Sequence, residues 1–182
     1  MKSISKSPVS FMANVQRLPQ KGMPVTIIAD TEQRKALAAG HDLVSVEDFR
    51  SDVTILPWKK DGVRVSGSVK ADILQTCVVT LEPLAAHIEE EISAVFVPEG
   101  SSLARDEVEG GEMVLDAEGP DSPETFSGDT IDVGALAEEF FELGIDPYPR
   151  KAGSTIESEL PVPEAEPSGP LHEKLRKLYP QR

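Results

Sequence analysis

With 182 residues, 39% of them hydrophobic and nine of them aromatic, the chain has enough apolar material for one domain of ordinary size and some unstructured length besides. Its 32 acidic residues against 18 basic ones leave a net charge of −14, which repels phosphate backbones unless positive charge is gathered locally, so free, nonspecific nucleic-acid binding is not expected. A single cysteine, Cys77, excludes an internal disulfide. The opening "MKSISKSPVSFMANVQRLPQ" holds no apolar run of signal-peptide length, and no later stretch approaches the ~20 apolar residues of a membrane span, so a soluble, unexported, cytoplasmic protein is expected.

Taken in chain order, Val25 to Ala29 is β-branched and bounded by Pro24, which predicts a strand. Asp30 or Thr31 can cap "EQRKALAA", and Gly40 stops it, giving a short helix near 31 to 39. Val53, Ile55 and Pro57 then alternate with Thr54, Leu56 and Trp58, "KKDG" makes a turn, and Val63, Val65, Gly67, Val69, Ala71 and Ile73 alternate with polar residues. That pattern is a hairpin with one apolar and one polar face. In "AAHIEEEISAVFV", Ala86, Ile88, Ile92, Ala94 and Phe96 again fall on one side. Long strands joined by short turns imply an antiparallel sheet.

Residues 99 to 130 hold ten acids and one base, with five glycines, two prolines and little periodicity, and are expected to form a long flexible acidic loop. Asp132 follows as an N-cap, and Val133, Leu136, Ala137 and Phe140, with Leu143 at the margin, form the apolar stripe of a second helix that ends before Pro147. Glu138, Glu139 and Glu142 are expected to face water. Residues 153 to 170 are rich in Pro, Glu and Ser and are expected to be a linker. The last segment, 171 to 182, places Leu171, Leu175 and Leu178 on one side of a basic amphipathic helix. The domain is thus expected over 1 to 152, with the acidic loop inside it and a tethered helical tail.

Candidate chemistry is sparse. Glu138 and Glu139, adjacent on a helix, point about 100° apart and cannot face one substrate together. Glu138 and Glu142 lie one turn apart, yet no histidine accompanies them, and a solvated acidic face is the preferred reading. His41, His87 and His172 lack metal-ligand spacing to one another or to Cys77, and no phosphate loop or nucleophile elbow is present. No catalytic residue, metal or cofactor is therefore expected, and Cys77 reads as a small buried apolar residue.

Binding residues can be located. Trp58, Lys59 and Lys60 at a hairpin tip, with Arg64 beyond, put an aromatic face beside three cations. A plainer reading, a soluble turn in which Trp58 covers the core edge, is preferred. Tyr148, Arg150 and Lys151 lie in the rigid "PYPRK" segment after the second helix, and Lys174, Arg176 and Lys177 flank the leucines of the tail.

The blocks "QTCVVTLEPLAAHIEEEISAVFV" and "GDTIDVGALAEEFFELGIDPYPRKAG" together resemble the YceD-like family, bacterial and plastid proteins linked to accumulation of 23S ribosomal RNA, and most closely its alphaproteobacterial branch. Many members carry Cys-x-x-Cys before Leu-Glu-Pro; here Thr80 stands three residues after Cys77, so a zinc or dithiol role does not carry over. The resemblance implies a non-enzymatic factor in large-subunit biogenesis, contacting ribosomal RNA or ribosomal protein in a precursor, and assigns no catalytic residue. An acidic loop of net charge −9 suits a strongly basic protein partner more than naked RNA. The alternative is an acidic protein-protein adaptor unrelated to the ribosome. The expected fold is α+β: a curved antiparallel sheet or partial barrel with two short helices, the acidic loop and the tethered C-terminal helix.

Overall fold

A computed structural model describes residues 6–101, 108–109, 112–113 and 123–154. The chain divides into two units, Met1–Ala152 and Gly153–Arg182, and every element below belongs to the first. The expected linker beyond Ser154 and the helical tail at 171 to 182 lie outside the described residues.

In chain order the elements are β1 (Met12–Asn14), β2 (Met23–Ile28), α1 (Thr31–Gly40), β3 (Ser45–Trp58), β4 (Gly62–Thr76), β5 (Pro83–Pro98), β6 (Val108–Glu109), β7 (Glu112–Met113), β8 (Glu124–Phe126), β9 (Thr130–Asp132) and α2 (Val133–Leu143). The main sheet is open, with strand order β2-β3-β4-β5-β8; β1 pairs with β9, and β6 with β7. All its pairings are antiparallel except β5 with β8, which is parallel. The fold is α+β. Pro24 sits inside β2 rather than before it, which an edge strand tolerates because no further strand needs its missing N–H.

The period of two decides the faces. Phe49, Val53 and Ile55 of β3, Val63, Val65, Val69, Ala71 and Ile73 of β4, and Ile88, Ile92 and Phe96 of β5 all enter one core, which Leu37 of α1 and Leu136 and Phe141 of α2 complete. On the other side of the sheet the same strands present cross-strand charge pairs, Lys70 to Glu89 at 2.6 Å and Asp72 to His87 at 2.7 Å. Gly67 stands on the core side where β4 closes on β3: a Cβ there would lie 2.1 Å from the Asp52 carbonyl oxygen and 2.6 Å from the Val53 Cα. The absent side chain permits a tight bend of the sheet.

Both helices start where the sequence places a cap. Asp30 accepts hydrogen bonds from the N–H groups of Glu32 and Gln33, and the Gln33 side chain returns to the Asp30 N–H, a complete capping box. Asp132 accepts from Gly134 and Ala135 N–H and also holds the N-terminal arm, through the Ser10 hydroxyl and the Phe11 N–H. Burial pushes the Asp132 carboxyl upward, and these four donors outweigh it and leave it below the usual range. The arm crosses α2 so closely that a Cβ on Gly134 would lie 2.0 Å from the Val9 carbonyl oxygen.

Three expectations need correction. The acidic stretch 99 to 130 is not loop throughout, since β8 runs beside β5 and β9 opens at Thr130. The anchor of α2 is Phe141, fully buried edge-on to Phe49, while Phe140 is half-buried at the flank and Leu143 is 75% exposed. Adjacent helical residues differ by 100°, and the buried line runs through Val133, Ala137 and Phe141. Glu138 does not face water, as described below.

Candidate binding surface

The hairpin tip joins β3 to β4 through Lys59, Lys60 and Asp61, with Lys59 in the left-handed region at φ 53°. Trp58 is half-buried. Its ring folds over Gly62, where a Cβ would come within 2.7 Å of it, and the Lys59 Nζ lies 4.2 Å from the ring centroid. Arg64 is exposed, opposite Leu56 and Val95. Beside the tip a cavity of about 330 Å³ has an apolar floor including Val15, Leu18, Pro57 and Phe126, with Lys60 and Asp61 at its rim.

The segment after α2 is tied to the other end of β4. The Gln75 side-chain amide donates to the Asp146 carbonyl at 2.9 Å, and the Val78 N–H donates to the Pro149 carbonyl at 2.9 Å. The Lys151 N–H donates to the Cys77 Sγ at 3.4 Å, while its ammonium meets Glu82 at 2.9 Å. Pro149 is buried; Tyr148 is 71% exposed and Arg150 is exposed. The segment therefore returns to the fold through Pro149 and leaves Tyr148 exposed, while the turn that Pro149 meets exposes Val78 and Leu81, the latter at φ 59°. Cys77 is buried, and more than an apolar filler: hydrogen bonding from the Thr80 hydroxyl, then from the N–H groups of Thr80, Lys151 and Val79, draws its thiol down to about 6.

The two groups of expected residues do not meet. Trp58, Lys59, Lys60 and Arg64 gather at one end of β4, and Tyr148, Arg150 and Lys151 at the other, with most of a 15-residue strand, roughly 50 Å if straight, between them. Lys174, Arg176 and Lys177 lie outside the described residues.

On α2 the geometry departs from the sequence reading. The Glu138 Oε1 lies 3.0 Å from the Nε2 of His41, the residue closing α1, with the two side chains 18% and 10% exposed. Their hydrogen bond raises the His41 pKa above its ordinary value and lowers that of Glu138. The His41 ring stands edge-on to Phe141 at 5.4 Å, so the pair clamps the end of α1 onto α2. A histidine and a carboxylate thus converge, but they are packed between the helices and line none of the cavities described here.

One residue further on, Glu139 has a different setting. It borders a groove of about 240 Å³ between β8 and α2, which is lined by Phe96, Phe126, Ile131 and Leu136 among the polar Thr125, Thr130 and Asp132 and whose far rim carries Glu124. Both carboxyls are raised in pKa: Glu124 by burial, and Glu139 by burial first and then by the negative charges of Glu124, Glu138 and Glu142. Sequence reasoning missed this groove because Glu124 lies in the stretch read as loop. Among the described residues no group of three or more His, Cys, Asp and Glu side chains could hold a metal ion.

No curated protein and no solved structure matches the chain. A family model matches residues 65–176, more than half of the sequence, from near the start of β4 through β5, β8 and α2 into the C-terminal segment. The chain belongs to the family described as large ribosomal RNA subunit accumulation protein YceD.

Proposed function

We propose that this protein is a non-enzymatic factor of the cytoplasm that supports accumulation of 23S ribosomal RNA and biogenesis of the large ribosomal subunit by holding a basic ribosomal protein in a precursor, rather than by gripping naked RNA. The reading rests on family membership and on one geometrical observation. The two cationic groups lie at opposite ends of β4. Within the second group Lys151 is matched by Glu82, and outside the groups Arg50 is matched by Asp52, Lys70 by Glu89 and Lys35 by Glu32. Among the described residues, positive charge divided in this way supplies no continuous track for a phosphate backbone, and the chain's net charge of −14 opposes one. Its acidic surfaces suit a partner that is itself strongly cationic. No helix among the described residues is long and apolar enough to cross a membrane.

Deleting the gene and measuring 23S RNA and subunit profiles tests the reading. Reduced 23S RNA with a deficit of large subunits is expected. Unchanged 23S levels and normal subunit ratios would leave only an acidic adaptor with no ribosomal role.

A further inference from the structure

The groove between β8 and α2 combines features that a solvated acidic surface does not require. Half-buried Phe126, with Phe96, Ile131 and Leu136 of the core beneath it, forms an apolar strip among the polar Thr125, Thr130 and Asp132; Asp132 is already engaged by its four hydrogen-bond donors, and each rim carries an exposed carboxylate, Glu124 on the strand and Glu139 on the helix. Among the described residues neither carboxylate has an ion pair, whereas Glu138, the immediate neighbour of Glu139, is paired to His41. Like charges set across a partly dehydrated groove oppose folding, so the free protein gains nothing from holding them there. Glu124 itself belongs to the most acidic stretch of the sequence, ten acids to one base between 99 and 130, and β8 is the edge strand of the main sheet, beside β5.

We propose that this groove is a docking site for the lysine or arginine side chains of a basic protein segment, whose aliphatic stem packs on the apolar strip while the cation reaches Glu124 and Glu139. A side chain apolar along its stem and cationic at its tip matches both parts of the groove, and a nucleotide phosphate matches neither. The inference rests on the functional reading above and names the surface through which it works.

The test uses the full-length protein and a short synthetic peptide alternating arginine and valine. Chemical-shift changes on titration should concentrate at 124 to 126 and 135 to 139. Glu124→Gln with Glu139→Gln should weaken the peptide about ten-fold or more, as loss of close charge pairs does. Glu47→Gln with Glu91→Gln removes the same charge outside the groove and should change affinity less than two-fold, a difference on the order of thermal energy. Equal weakening by both double variants, shifts that map elsewhere, or a single-stranded oligoribonucleotide that perturbs the groove would each overturn the proposal. Melting of the Glu124→Gln, Glu139→Gln protein at or above the parent temperature shows that the binding loss is not misfolding. In a deletion strain with reduced 23S RNA, full rescue by that variant overturns the groove and leaves the ribosomal role standing. A deletion with normal 23S RNA overturns the role while the peptide titration still judges the groove.

Discussion

Glu138 and Glu139 are neighbours on α2 with opposite circumstances. Glu138 turns toward His41, gives and receives stabilisation, and fastens one helix to the other. Glu139 borders a groove whose far rim carries Glu124, and it meets only negative charge. A step of 100° along the helix separates a carboxylate that holds the fold from one the fold tolerates at a cost. Acidic composition alone therefore says nothing about the work a given acid performs; the element opposite it decides.

Substitutions separate the acid that holds the fold from the one that does not. The largest effect is expected from Phe141→Ala, which empties the contact between α2 and the sheet at a fully buried position and should cost about 3–5 kcal/mol in chemical denaturation. Because α2 carries both glutamates, that variant should also lose binding at the groove. Next, His41→Gln or Glu138→Gln removes a charge-assisted hydrogen bond between largely buried side chains, and each should cost roughly 1–3 kcal/mol by the same assay. A double variant that costs no more than the larger single one confirms that the two residues act as one unit.

The pH dependence of stability follows from the same pair. His41 is raised above its ordinary 6.5, so its contribution is full below that value and is lost as pH rises through the higher folded value. Glu138 is lowered from 4.5, so its contribution is full above that value and is lost as pH falls through the lower folded one. The clamp is strongest between those ordinary values, and Glu138→Gln should flatten both limbs of the stability curve relative to the parent. The smallest effect belongs to the other glutamate. Glu139→Gln, or Glu124→Gln, should leave stability within about 0.5 kcal/mol or raise it slightly, because each removes repulsion and no favourable partner. A loss as large as that of Glu138→Gln would show that Glu139 also holds the fold, and the contrast would fail.

Much of the fold was legible because its signals are local. Asp30 and Asp132 cap the helices, and alternation marks β3, β4 and β5, since caps and period-two patterns are written within a few residues. What stayed hidden depends on long-range contact. His41 meets Glu138 across 97 positions, so nothing near either residue announces the clamp. Strands of three residues, such as β8, are too short to show a period, and β8 exists because Glu124–Phe126 finds the far end of β5. The choice of Phe141 over Phe140 turned on helix phase, fixed by what already fills the sheet. For the site, residue types were readable and their distribution was not: Trp58 and Tyr148 each stand beside cations, but only the topology puts them at opposite ends of one strand.

A protein that works by contact with a basic protein should keep that partner when RNA is destroyed. Affinity capture of the tagged full-length protein from growing cells, with and without nuclease, followed by identification of the co-purifying ribosomal components, tests this most directly. A basic large-subunit protein should remain bound after nuclease and elute as salt is raised. Loss of every ribosomal component on nuclease treatment would contradict the account and make RNA the tether.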